Sequence, residues 1–258
     1  MPQPVFTHFA AIAGELLEPG TVRTIVEVGA RDCTETLDFA NAYPAARIVA
    51  FECNPATLPA CRRAVEGRAN VALVEKAVSD RAGTVSFFPT DPERTVTNHA
   101  GGNPGASSLF RARDDYPHET YVQNEITVEA TTLAAEMDAH GLGGIDLLWM
   151  DIQGAELLAL KGLGERIGSV ALMHLEVEFL PIYEGQPLFD EVDAFLRARG
   201  FRFLGFTSYA RYSADAVYAS GQVATFGDML RLWWRFPFLL RHRLTRARHR
   251  LKRALVGR

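Results

Sequence analysis

Thr24-Ile25-Val26-Glu27-Val28-Gly29-Ala30-Arg31-Asp32 decides how this 258-residue chain is read. An apolar run carrying one acid ends in a glycine and a polar turn. Thr34-Glu35-Thr36-Leu37 follows and reads as a helix start with Thr34 as its N-cap. A buried strand, a tight glycine turn and a helix form the first unit of a nucleotide-binding α/β fold. Glycine lets the backbone approach a ligand where a Cβ would clash. The dinucleotide fingerprint is absent, because Arg31 and Thr34 occupy its second and third glycine places. A pyrophosphate calls for that glycine set over a helix N-terminus. A nucleoside without phosphate does not.

Outward from this stretch, strands and helices alternate. Residues 4–18 read as a covering helix stopped by Pro19-Gly20. Strands are predicted over 47–52, 70–75, 84–88, 126–130, 145–151, 170–178, 201–206 and 216–220. Asn54-Pro55 reads as a helix start, and further helices are expected over 132–140, from Glu156 to about Arg166, and over 188–199. The expected fold is α/β, a doubly wound, mainly parallel sheet of Rossmann-like type, for which the family resemblance given below implies seven strands. Glu52 falls 23 residues after Gly29, where a carboxylate at the end of a second strand binds ribose hydroxyls in this fold class. One glycine with a strand-end carboxylate suits S-adenosylmethionine, whose amino-acid end is zwitterionic. Residues 89–120 are broken by glycines and prolines, and a loop that long is a candidate lid or acceptor loop.

Composition is that of a soluble globular protein, 48% apolar and 22% charged. The net charge of −4 hides an asymmetry. Residues 229–258 hold ten Lys or Arg and no Asp or Glu, whereas residues 1–228 hold 17 basic and 31 acidic side chains, a net −14. Three cysteines, Cys33, Cys53 and Cys61, fit neither a zinc site nor a disulfide framework, and read as reduced thiols, with Cys33 and Cys53 as neighbours near the site. No signal peptide or membrane-spanning run is evident, so a cytoplasmic location is expected.

Four pieces now stand in order: Glu27-Val28-Gly29-Ala30, Phe51-Glu52-Cys53-Asn54-Pro55, Lys76-Ala77-Val78-Ser79-Asp80, and Asp146-Leu147-Leu148-Trp149-Met150-Asp151-Ile152-Gln153-Gly154-Ala155-Glu156. With Leu160-Lys161-Gly162, Ser107-Ser108-Leu109 and Leu175-Glu176-Val177, they resemble the FkbM family of S-adenosylmethionine-dependent methyltransferases, over about residues 22–206. The resemblance implies the class I methyltransferase fold and transfer of a methyl group to a hydroxyl, often of a sugar in a natural product or cell-surface glycan. The chain departs from the family at Glu27, where Asp is usual, and at Arg31-Asp32, where a small or amide residue and then Gly are usual.

These expectations distribute the site as follows. Glu27, Gly29 and Ala30 meet the methionine end of the cofactor, Glu52 the ribose, and Asp80 the adenine amine. Asp151, at the end of the fourth strand, borders the cofactor and is the first choice for proton acceptor or hydroxyl anchor, with Glu176 beside it. His174 is either a base or a satisfied core histidine; His99 and His118 are weaker candidates. Glu156 suits a helix N-terminus. Asp151 with Glu176 alone does not make a metal site. In the tail, Leu240, Leu244, Ala247, Leu251 and Ala254 form an apolar stripe opposite arginines, and Trp233-Trp234 stand beside arginines. That pattern suits a membrane surface, with docking on the chain's own domain or on a second subunit as the alternative; no nucleic acid is expected. The expected division is a covering helix over 1–21, the methyltransferase domain over 22–226 and the tail over 227–258. The expected partner is a hydroxyl-bearing small molecule or lipid-linked glycan. The rival readings are a non-catalytic scaffold at a membrane and a nicotinamide-dependent dehydrogenase.

Overall fold

Ile25 and Val28 are each 1% exposed or less, and a strand this apolar on both faces needs helices over each face. A computed structural model of residues 5–18 and 20–256 supplies them. Residues 1–4 and Pro19, the expected stop of the first helix, lie outside the described residues. Helix α1 (Val5–Leu16) precedes β1 (Thr24–Val28), α2 (Thr34–Ala42), β2 (Arg47–Phe51), α3 (Leu58–Val65) and β3 (Val71–Val74). Three strands follow, β4 (Ala77–Val78), β5 (Gly83–Phe87) and β6 (Ile126–Thr131), then α4 (Leu133–Ala139), β7 (Ile145–Met150) and α5 (Glu156–Lys161). The chain continues through β8 (Val170–Glu178), α6 (Phe189–Arg197), β9 (Phe201–Tyr209) and β10 (Ser213–Ser220) to α7 (Phe226–Arg235) and α8 (Pro237–Val256).

The main sheet has seven strands in the order β3-β2-β1-β7-β8-β10-β9. β10 runs antiparallel between β8 and β9, and the remaining neighbours are parallel. This is the class I methyltransferase arrangement. Alternation along each strand splits the core into two layers. Val26, Leu148 and Met173 face Leu133, Leu160 and Leu196 from α4, α5 and α6. Ile25, Leu147 and Leu172 face Phe9, Phe39, Leu232 and Leu239 from α1, α2, α7 and α8. Helices α1, α7 and α8, within the segments expected as a covering helix and a tail, thus share one apolar layer with the sheet. The strands predicted over 84–88 and 126–130 form part of a second sheet, β4-β6-β5, outside the main one.

Two helix starts differ from expectation. Asn54 does not cap α3: its side-chain oxygen accepts from the Ala56 N–H at 3.0 Å, and its carbonyl from Thr57 and Leu58, so a turn over 55–57 precedes the helix. Thr34 is the first residue of α2, after Cys33 at φ +62°, and its N–H is taken by Asp32 Oδ1 at 3.2 Å.

The tail docks, but not by the predicted stripe. Leu239 is fully buried, and α8 turns His242, Arg243, Arg246 and His249 toward β9 and its neighbours. His242 meets the Phe206 carbonyl at 3.1 Å, and Arg243 donates to the Phe203 carbonyl at 3.1 Å. The Arg246 guanidinium sits 4.2 Å from the Phe179 ring centre and 3.5 Å from Asp190. Leu244 and Ala247, from the predicted apolar stripe, are exposed instead; the side chains of Leu251 and Ala254 lie outside the description. Gly205 makes the docking possible, since a Cβ there would lie 2.7 Å from the Leu239 carbonyl oxygen. Among the described residues no helix is long and apolar enough to cross a membrane.

Candidate active site

The carboxyl edge of the main sheet opens where β1, β2 and β7 end together. Gly29 leaves β1 at φ +90°, and a Cβ there would stand 2.0 Å from the Asp151 carbonyl oxygen. Only glycine therefore lets the ends of β1 and β7 close on each other. The N–H groups of Gly29 and Ala30 both donate to the Phe51 carbonyl, at 3.0 and 2.9 Å. Ala30 is buried against Cys33 and Ala50, so it supports the turn and does not line the cavity.

The loop then takes a left-handed path without glycine, Arg31 at φ +50° and Cys33 at φ +62°. Each such residue costs about 1–2 kcal/mol. Two contacts hold the path: Glu52 accepts the Arg31 N–H at 2.7 Å, and the Cys61 thiol meets the Arg31 carbonyl at 3.0 Å. Cys33 shares its small buried cluster with Cys61, while Cys53, its expected neighbour, lines the cavity.

Glu52 organises this end. One oxygen takes the Arg31 N–H, and the other takes those of Cys53 and Asn54 at 2.8 and 2.6 Å. Burial raises its pKa, and these backbone donors pull it back. The Thr57 hydroxyl adds a side-chain donor to the same carboxylate, which lines the cavity. The cavity beside it has a volume of about 120 Å³. Its walls combine Gly29, Glu52, Ala77, Val78, Phe87, Leu109 and Asp151.

The long loop is the cavity's cover. Within residues 89–120 it forms only short 3₁₀ turns, yet it is tied down at several points. The Asn54 side-chain amide donates to Ser107 Oγ at 3.3 Å, and Ser108 Oγ donates to the Gln153 carbonyl at 2.8 Å. The Tyr183 hydroxyl lies 2.9 Å from the Ala106 carbonyl and 3.0 Å from Gln153 Oε1.

Gln153 is the hub that the sequence did not reveal. It sits in the β7–α5 turn at φ +54°. Its amide nitrogen donates to Asp151 Oδ1 at 2.8 Å and to Glu176 Oε2. Asp151, Glu176 and Asp215 stand in a row, since Met150 pairs with Leu175 and Glu176 with Asp215. Burial, then the charges of Asp151, Glu178 and Asp215, raise Glu176 well above the ordinary carboxyl range. Asp215, mainly through burial, is raised to about 6. Nothing local to residue 153 signals this role; it arises from strand register and from Tyr183, 30 residues on.

Other expected site residues also sit elsewhere: Glu176, like Ala30, does not line the cavity. Glu27 is 1% exposed, bonded by the Thr36 hydroxyl and absent from the cavity wall; burial raises its pKa to about 8. Asp80 is exposed, bonds the Ser79 hydroxyl, and leaves Ala77 and Val78 to form that wall. His174 is corrected from candidate base to core residue. It is 1% exposed, stacked 3.8 Å from Trp149 and bonded to Thr207 at 2.9 Å, and burial lowers its pKa to about 3. Glu35, not anticipated, lines the cavity. Glu156 accepts the Ile152 N–H at 2.9 Å and, desolvated, is raised to about 8. His99 approaches Glu119 at 3.8 Å, and His118 packs on Tyr212. Among the described residues no group of three or more His, Cys, Asp or Glu side chains could hold a metal ion.

The model of the FkbM methyltransferase domain matches residues 27–203. The chain belongs to the FkbM methyltransferase family. The cofactor of this FkbM protein is S-adenosylmethionine. The chain is similar to the 2-O-methyltransferase NoeI of Sinorhizobium fredii, 28% identical over 164 residues, 63% of this chain and 66% of that one. It therefore spans just under two thirds of that relative's length. Among solved structures, methyltransferase FkbM from Methylobacillus flagellatus aligns with a TM-score of 0.49 at 11% identity, over 81% of this chain and 47% of that one. The N-terminal domain of EvdMO1, crystallised in the presence of S-adenosylhomocysteine and D-fucose, aligns with a TM-score of 0.43 at 15% identity, over 84% and 82%.

Proposed function

We propose that this protein is an S-adenosylmethionine-dependent O-methyltransferase whose acceptor is a hydroxyl of a sugar, in a glycan, a glycolipid or a natural product. The observation that carries the reading is Asp151 in the cavity wall where β7 stops, its carboxylate held by the Gln153 amide that also bonds Glu176. The 2-O-methyltransferase name borne by the relative supports an oxygen acceptor.

The residues present fit the cofactor. The Glu52 carboxylate in the wall suits a ribose hydroxyl, Ala77, Val78, Phe87 and Leu109 offer apolar walls to an adenine ring, and Gly29 presents bare backbone to the methionine end. Bound there, the cofactor supplies an electrophilic methyl group on a sulfonium sulfur. The protein's part is placement, since in-line alignment alone contributes roughly 7–11 kcal/mol. Asp151 accepts the acceptor's hydroxyl proton as the oxygen–carbon bond forms and the carbon–sulfur bond breaks, a contribution on the order of 10²–10⁴-fold. Glu176 does not line the cavity, which leaves that role to Asp151. Gln153 fixes the Asp151 carboxylate by donating to it, and Tyr183 and Ser108 fix Gln153.

The test is methyl transfer from labelled S-adenosylmethionine to a pool of glycans, followed by mass spectrometry for a gain of one methyl unit. Asp151→Asn should lower turnover by about 10²-fold or more while cofactor affinity stays within a few-fold. Equal turnover by the variant, or labelling of amines but not hydroxyls, would overturn the reading.

A further inference from the structure

Helix α8 docks through its cations and leaves Leu244 and Ala247 of its apolar stripe exposed, the reverse of the usual arrangement of an amphipathic helix on a domain. Its arginines divide accordingly. Arg243 and Arg246 lie over the Phe203 and Phe179 rings, whereas Arg241 and Arg248 are exposed and, among the described residues, form no ion pair. Between those two, on the same outer face, stand Leu244, 52% exposed, and Ala247.

Helix α7 repeats the pattern. Its inner face buries Met229 and Leu232, and Trp233 donates its indole N–H to the Leu204 carbonyl at 2.8 Å. Its outer face carries Phe226, Leu230 and Trp234 at four-residue spacing, one row on a helix. They are 62%, 50% and 88% exposed. Of two adjacent tryptophans, one is anchored to the sheet and the other stands in solvent beside Arg235.

We propose that this outer face of α7 and α8 is a docking surface for an anionic lipid bilayer, with Trp234, Leu230 and Phe226 entering the headgroup boundary and Arg241 and Arg248 meeting lipid phosphates. Charge selects the orientation: ten basic and no acidic residues lie over 229–258, against a net −14 over residues 1–228. An anionic surface attracts this face and repels the body. Trp beside Arg is the residue pair of a membrane interface. A second copy of the chain is a poorer occupant, since the three large side chains expose roughly 400 Å² and a stable dimer buries about 800 Å² per partner. The inference does not depend on what the active site methylates.

Flotation of the full chain with phosphatidylcholine vesicles, with and without about one third phosphatidylglycerol, tests it. Binding should need the anionic lipid and weaken with salt, with a blue shift of tryptophan emission. Trp234→Ala with Leu230→Ser should weaken binding about tenfold or more, while circular dichroism and S-adenosylmethionine affinity stay unchanged, because both side chains project from the fold. Arg241→Glu with Arg248→Glu should weaken it through charge alone. No flotation of the wild type, or flotation of both pairs of variants equal to that of the wild type, would overturn the proposal. So would self-association or RNA binding that Trp234→Ala abolishes in a protein that ignores vesicles.

Discussion

Glutamine at position 52 separates shape from charge at the end of the cavity, and its effect can be worked from three hydrogen bonds. The native carboxylate accepts one N–H on one oxygen, from Arg31, and two on the other, from Cys53 and Asn54. In Glu52→Gln one oxygen becomes a donor. The less costly orientation turns the amide nitrogen toward Arg31, where donor meets donor. One hydrogen bond to a charged group is then lost, about 1.5–3 kcal/mol, and the other two weaken as the charge disappears. Removing a buried charge returns part of this, because burial already raises the Glu52 pKa. A net loss of about 2 kcal/mol remains, or roughly 4–8 °C in the midpoint of thermal unfolding for a domain of this size. The left-handed path at Arg31 loses its tether as well, so the cavity wall loosens where the ribose would bind. Cofactor affinity should fall by about 10–100-fold, between one and two factors of 1.4 kcal/mol. Scanning calorimetry and isothermal titration measure the two effects on the same sample. A variant with unchanged midpoint and an affinity within twofold of wild type would refute the reasoning.

Two further predictions rest on buried contacts. Glu27 and Glu156, each raised from 4.5 to about 8, keep protons in the folded chain that the unfolded chain releases, so stability is greatest below about pH 4.5, falls as pH rises and levels off above about pH 8. Glu27→Gln retains an oxygen for the Thr36 hydroxyl, and urea unfolding at about pH 5.5, 7 and 8.5 should show a shallower decline than wild type; an unchanged slope would refute the assignment. Gly205→Ala places a Cβ 2.7 Å from the Leu239 carbonyl oxygen and 2.9 Å from its Cβ, at φ +146°. It should cost roughly 1–3 kcal/mol and lift the start of α8, read as faster proteolysis near residues 236–240; wild-type cleavage rates would show that the contact yields freely.

What the sequence made legible is local. A glycine at the end of an apolar strand, and an acid after the next one, mark positions that any chain entering this fold must satisfy nearby, and Gly29 and Glu52 both line the cavity. The resemblance carried by Asp151 to Glu156 is also a short continuous piece. The site's wiring is not local. Gln153 acquires its role because β7 and β8 align Asp151 beside Glu176, and because the 181–187 loop brings Tyr183 to its amide oxygen. Tyr183 carries no signature of its own, and no periodicity reports a contact made across a register. His174 shows the same dependence in reverse. The histidine itself is visible, but only Trp149 and Phe9 closing over its two sides make it neutral and structural.

The tail is the sharpest case, because the face that meets the sheet carries arginines. A stripe at spacings of four and three identifies a helix with two unlike faces, and by burial alone the leucine face should meet the sheet. β9 reverses that choice. Its neighbourhood already holds Phe179, Phe189, Phe203, Phe206 and Tyr209, packed edge to face on one another. Such a cluster presents ring faces, and ring faces attract guanidinium groups as readily as they accept leucine. Arg243 and Arg246 satisfy those rings and the Phe203 carbonyl together, which leucines could not. An arginine-rich face is therefore not by default a solvent face: its partner decides, and that partner lies some 40 residues away in β9.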